Sequence, residues 1–241
     1  MRTIRRLLAL LLVLGGVFVA VLAFPEPNFE YRLSHGQYEI FSDRPIPPQI
    51  AAVLDDTTRR LERSELYDSR QRFRIFFCND DWRMALYSQR FSSAPGGIAD
   101  TWLTRNIYLR RSDIAGGRMT SPTGAALADA EVRPLAYFIA HEATHVMEAR
   151  AFGRLLGLLY PSWLTEGYAD YVAKGGGFDF EENRRMLAAG DPLLDPARTQ
   201  IYRRHHLLVA LLMDEDGLSI RRIFADPPEE EVLLRRLRAE R

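Results

Sequence analysis

The hydrophobic and polar positions of this chain fall into three stretches with different periods. From Leu7 to Phe24 no charged residue occurs; Arg2, Arg5 and Arg6 precede the run, and Pro25, Glu26 and Pro27 end it. As a helix this run is roughly 27 Å long, close to the hydrocarbon thickness of a bilayer. Residues 1–24 therefore read as an export segment, either a retained membrane anchor or a signal peptide cut near Val21-Leu22-Ala23. A buried core helix is the poorer reading, because such helices rarely lack a polar face over this length. With the arginines held inside, everything after Pro25 is expected on the extracytoplasmic side.

The second stretch mixes periods of two and 3.6. Residues 25–36 read as a linker, whereas Gln37 to Ser42 and Phe73 to Cys78 read as strands, with two shorter extended pieces at Ile98 to Trp102 and Asn106 to Leu109. Ile50, Val53, Leu54, Thr57 and Leu61 recur at helical spacing, which predicts a helix from Pro47; another is expected around Trp82 to Phe91. Gly, Ser, Thr, Pro and Ala dominate from Ile114 to Ala130 and predict an exposed loop.

The third stretch is helical throughout. Helices are predicted over Pro134 to Phe152, Ser162 to Lys174, Phe180 to Ala189 and Thr199 to Asp214, with a last one from Glu229. Pro134 suits a first helical position, Ser162 suits a cap, and Gly175 to Gly177 suit a stop. The expected fold class is α+β. A small mixed-sheet lobe (about 37–133) and a helical lobe (153–241) flank the helix 134–152, with a cleft between the lobes and one domain over 25–241.

Composition narrows the function classes. Hydrophobic residues at 47% and charged residues at 27% suit a soluble folded body. Lys plus Arg equals Asp plus Glu at 32 each, so no net field favours a polyanion, and nucleic acid is not an expected partner. Cys78 is the only cysteine, which rules out an internal disulfide or a thiolate cluster and suits a small buried residue. Any metal site must use His, Asp and Glu.

Such residues occur where they are least expected. Leu135 to Met147 reads LAYFIAHEATHVM, an apolar helix interrupted by His141, Glu142 and His145. Two imidazoles and a carboxylate in a buried helix need compensation, and a metal supplies it. His141 and His145 share one face and can reach one ion at about 2.0–2.1 Å, while Glu142, about 100° round, can reach a water on that ion. Glu148, one turn beyond His145, reads as a surface acid paired with Arg150 or another arginine. A second mostly apolar helix, WLTEGYADY at 163–171, carries Glu166 and Asp170 on one face. Glu166 reads as a third ligand, with a first-turn helix role as its alternative; Asp170 reads as the acceptor for a ligand histidine, with a surface salt bridge as its alternative.

HEATH at 141–145 and WLTEGYADY at 163–171 together resemble the gluzincin class of zinc metallopeptidases, the thermolysin-like group, and more narrowly bacterial proteins with a WLxEGxAxY second motif. The resemblance covers about residues 134–174 well and the N-terminal lobe weakly. It implies one Zn2+ per chain on His141, His145 and Glu166, Glu142 as general base, Asp170 orienting His141, and a zinc cleft between the lobes. The metzincin pattern does not fit, because Glu148 and Ala151 stand where that class needs Gly and a third His. The expected chemistry is hydrolysis of a peptide or protein substrate by a water on the zinc, with Glu142 moving its proton. An oxyanion donor is expected from Tyr202, with His205 next and His206 also near; the adjacent histidines read equally as one partly buried and one surface residue. Two alternatives remain: hydrolysis of a non-peptide amide or ester, and a non-catalytic binding protein on the same fold. The N-terminal segment adds the membrane as a partner if it is uncleaved.

Overall fold

The computed structural model describes residues 2–89, 92, 94–121, 133–199 and 201–239. Helix α1 (Arg2–Ala23) leads through one 3-10 turn over Glu26–Asn28 into strands β1 (Tyr31–His35) and β2 (Tyr38–Ser42). Then come α2 (Ile50–Leu61), β3 (Phe73–Cys78), α3 (Asp81–Tyr87), β4 (Gly97–Ala99), β5 (Ile107–Arg110) and a small hairpin of β6 (Ser112–Asp113) and β7 (Arg118–Met119). The rest is helical: α4 (Leu135–Phe152), α5 (Leu156–Leu159), α6 (Ser162–Lys174), α7 (Phe180–Ala189), α8 (Pro196–Thr199), α9 (Arg203–Ala210), α10 (Ile220–Ala225) and α11 (Glu230–Ala239). The architecture is α+β. Most of the predicted loop over 114–130, and Arg90 and Phe91 at the end of one predicted helix, lie outside the described residues.

One mixed sheet has the order β1-β2-β3-β5-β4. β2, β3 and β5 run parallel in its middle, and β1 and β4 close the edges antiparallel. Period-two alternation divides its side chains between two cores. Tyr38, Ile40, Phe73, Ile75, Phe77, Ile107 and Leu109 face the main core with α2, α4 and α6. Phe41, Phe76, Cys78 and Tyr108 face a second core with Met84 and Tyr87 of α3, Phe29, and Leu22 of α1. Cys78 is buried as expected, and burial pushes its thiol pKa up.

Several boundaries differ from the sequence reading. Residues 25–36 are no linker: β1 lies within them, because Gly36 at φ +53° closes a two-residue hairpin that pairs His35 with Tyr38. β1 is half-exposed, so its alternation is too weakly apolar to read as a strand alone. Pro134 is the N-cap of α4 rather than its first residue, and Pro161 is the N-cap of α6, which Ser162 opens instead of capping. The predicted helix over Thr199 to Asp214 is interrupted. The Thr199 hydroxyl accepts a hydrogen bond from the Ile201 N–H at 3.2 Å, an alternative to helical bonding, and α9 restarts at Arg203 with Tyr202 as its N-cap. Gly175 in the left-handed region (φ +62°) stops α6 as predicted.

Helix α1 is exposed over nearly its whole length, and Ile4–Ala23 is long and apolar enough to cross a membrane. Helix α4 is also apolar on every side, but it is buried between the sheet and α2 and α6. That burial makes its few polar residues informative.

Candidate metal centre

Helix α4 carries His141, Glu142, His145 and Glu148, and α6 carries Glu166 and Asp170. Tyr202 caps α9, which carries His205 and His206. Glycines let these elements approach. A Cβ on Gly167 would lie 2.5 Å from the His205 carbonyl oxygen, so α6 and α9 touch backbone to backbone next to Glu166. A Cβ on Gly97 of β4 would lie 2.8 Å from Glu142 Cγ and 2.9 Å from its Oε1, so only glycine leaves room for that carboxylate.

His141, His145 and Glu166 converge, with one ligand-type atom from each inside a 4.8 Å group. Glu166 Oε2 lies 3.2 Å from His141 Nε2 and 3.6 Å from His145 Nε2. An ion bound tetrahedrally at 2.0–2.1 Å needs neighbouring ligand atoms about 3.3 Å apart, so the donor set fits a zinc-sized ion. Electrostatics point the same way. Glu142 is 8% exposed, Glu148 is fully buried and Glu166 is half-buried, and among the described residues no lysine or arginine forms an ion pair with any of the three. Burial pushes the Glu142 pKa up, a trend that the two imidazoles only partly offset. Burial likewise lifts Glu148 to about 7. For His145, burial opposes the charged form, but Glu166 and Glu148 outweigh it and hold its pKa well above the usual range. Burial of Glu166 is outweighed by the two histidines, which hold it well below the carboxylate range. A divalent cation meets this surplus of buried negative charge directly.

Glu148 and Asp170 act differently from the sequence reading. Glu148 is not a surface acid paired with Arg150. It is fully buried, and its Oε2 accepts from His145 Nδ1 at 2.8 Å, which fixes the tautomer and leaves Nε2 facing Glu166. Arg150 bonds instead to Gln71 and the Arg72 carbonyl. Asp170 is buried beside the centre, but its oxygens accept from the Tyr137 hydroxyl, from Lys174 Nζ at 2.7 Å and from His206 Nδ1 at 2.9 Å. None of these is His141, whose Nδ1 is buried with no hydrogen-bond partner among the described residues. Four-residue spacing carries Asp170 one full turn from Glu166, towards Tyr137 rather than His141. The sequence held a signal for this network: Lys174, its cation, is the only lysine in the chain. A compact ammonium, unlike a guanidinium, fits a single carboxylate oxygen in a closed site.

Tyr202 and His205 lie beside the metal group. The Tyr202 ring stacks on His141 with centroids 5.5 Å apart and on His205 at 5.8 Å. Burial lowers the His205 pKa to about 4, so it is neutral at pH 7. His206 is held in the Asp170 network with Phe178 stacked on it at 3.7 Å, so the two adjacent histidines are both buried rather than one buried and one exposed.

No known family model matches this chain, and no curated protein or solved structure is detectably similar to it. The functional reading rests on the centre itself.

Proposed function

We propose that this protein is a zinc-dependent hydrolase of the metallopeptidase type, working in a cleft between the sheet edge and the helical half. One observation carries the reading: two imidazoles and a carboxylate converge at metal-binding distances, with the buried Glu142 on the same helix as the two imidazoles and outside the converging group. His141, His145 and Glu166 would hold a zinc ion, which would supply Lewis acidity and acidify the attacking water. Glu142, its pKa raised by burial, accepts the proton as water attacks the carbonyl and returns it to the leaving nitrogen. Tyr202 or His205 donates to the developing oxyanion.

The sheet edge favours a peptide as substrate. Gly96 and Asp100 bond to β5, so by alternation Gly97 and Ala99 turn their backbone groups away from the sheet, and the Ala99 N–H reaches Glu142. An extended chain added to this edge would cross the base. With α1 as an anchor, Arg2, Arg5 and Arg6 at its start favour a domain outside the cytoplasm, the same side that a cleaved signal would give.

The test is metal analysis of the detergent-purified full chain alongside a peptide-library cleavage assay. The expected result is close to one zinc per chain, lost in His141→Ala, His145→Ala and Glu166→Ala. Glu142→Gln should keep the metal and lose turnover by about 10²–10⁴-fold. Full zinc retention in all three ligand variants would sink the assignment.

A further inference from the structure

The exposed apolar side chains of the domain are not scattered. Outside α1, the large hydrophobics that stand exposed among the described residues are Phe24, Trp82, Trp102, Leu155, Leu158, Leu159, Leu193, Leu218 and Val232. Five of the first six, all but Trp82, trace to one place, the end of the sheet where α1 meets the domain and where Arg74 reaches both Glu26 and Asn106. Phe24 is the residue after α1. Trp82 stands apart from them, at the start of α3, where Asp80 and Arg83 bond to Asp43 past the other end of the sheet. Trp102 precedes Leu103, which packs on the second core together with Leu22 of α1. Leu155, Leu158 and Leu159 are brought to the same place by Arg154, which donates to the Trp102 carbonyl at 2.8 Å and the Leu103 carbonyl at 3.0 Å.

Helix α1 also joins the domain without slack. Leu22 in its last turn is 6% exposed among Phe29, Met84, Tyr87 and Tyr108, and the Phe29 ring meets Phe76 at 5.0 Å. Cutting after Ala23 would remove a core residue, so the root of α1 is part of the domain. A bilayer crossed by α1 would therefore meet the domain at this collar. Leucines with an exposed tryptophan suit the zone between headgroups and acyl chains.

We propose that α1 is retained and that the domain rests on the bilayer surface through this collar of Phe24, Trp102, Leu155, Leu158 and Leu159. The proposal builds on the anchor reading given above. It also brings the metal centre close to lipid. Ala99 touches Glu142, and Leu103, four residues on, can lie at most about 14 Å away by chain reach. The connection Leu155–Leu159 itself joins the two helices that carry the ligands.

The full chain, reconstituted into vesicles of phosphatidylethanolamine and phosphatidylglycerol with and without brominated acyl chains, provides the test. Its tryptophans are Trp102 in the collar, Trp82 at the far end of the sheet and Trp163 in the core, 2% exposed, so quenching reports on the domain and not on α1. Brominated lipid should quench part of the emission, and Trp102→Phe should remove that quenching while Trp82→Phe leaves it. Leu158→Glu with Leu159→Glu should also weaken it. Equal emission in both vesicle types, in a chain that resists alkaline carbonate extraction, would overturn the docking while leaving the anchor intact. Release by carbonate would overturn the anchor, and the docking with it.

Discussion

Glu166 and Asp170 lie one helical turn apart on α6, yet they head two buried clusters of opposite character. Around Asp170 every charge is answered: the chain's one lysine, the His206 imidazole and the Tyr137 hydroxyl all point at its two oxygens. Burial pushes the pKa of Asp170 up, but Lys174 and His206 together outweigh it and hold that acid well below the carboxylate range. Around Glu166 the balance is reversed. Three carboxylates and two imidazoles crowd together, and Glu148 Oε1 and His141 Nδ1 are buried without hydrogen-bond partners among the described residues. A complete network fixes α4, α6 and α9 against one another, whereas the incomplete one, with its surplus negative charge, is where we propose that a cation binds. The difference separates structure from function within a single helix.

The largest effect should come from opening the complete cluster. Asp170→Ala strands the Lys174 ammonium in the core and should cost about 3–5 kcal/mol in urea unfolding. Asp170→Asn combined with Lys174→Met should recover part of this loss. A cost within about 0.5 kcal/mol of a surface aspartate variant would erase the contrast between the clusters.

His205 stands between the clusters and gives a pH signature. Its folded pKa of about 4 lies below the unfolded value, so between pH 6.5 and 4 the unfolded chain binds the extra proton. Its contribution is therefore full above pH 6.5 and lost as pH falls towards 4, about 3 kcal/mol in all. Stability curves against pH should flatten over that window in His205→Gln. An unchanged slope would place the acid sensitivity elsewhere.

The incomplete cluster should respond to metal and the complete one should not. Zinc at about 100 times its dissociation constant should raise stability by about 2.7 kcal/mol, and chelation should reverse this. His141→Ala should abolish the gain. Equal stability with zinc and with chelator in the wild-type chain would remove the charge argument for a cation.

The smallest effect sharpens the role of Glu148. Glu148→Ala should weaken zinc binding about 10–100-fold in chelator competition, because His145 loses the acceptor on Nδ1. Glu148→Gln keeps an acceptor oxygen and should restore part of the affinity. Equal affinity in all three proteins would make Glu148 a packing residue.

Local chemistry on the chain determined much of this protein. The helices α4, α6 and α7, the strand β3, and the group His141, His145 and Glu166 were legible because their information is short-range. Helical spacing puts two histidines on one face, and an apolar helix makes any polar residue in it conspicuous. Tertiary structure alone decided the partners. Glu148 and Asp170 each obey the same spacing rules as the ligands, and nothing local says that one is sealed behind His145 and the other turned to Tyr137 and Lys174. Those pairings depend on how α4, α6 and α9 cross, which Gly167 permits through contacts with residues nearly forty positions away. The contrast between α1 and α4 has the same origin. Both are apolar on every side, and only the packing of the sheet and the other helices buries one and leaves the other bare but for its root.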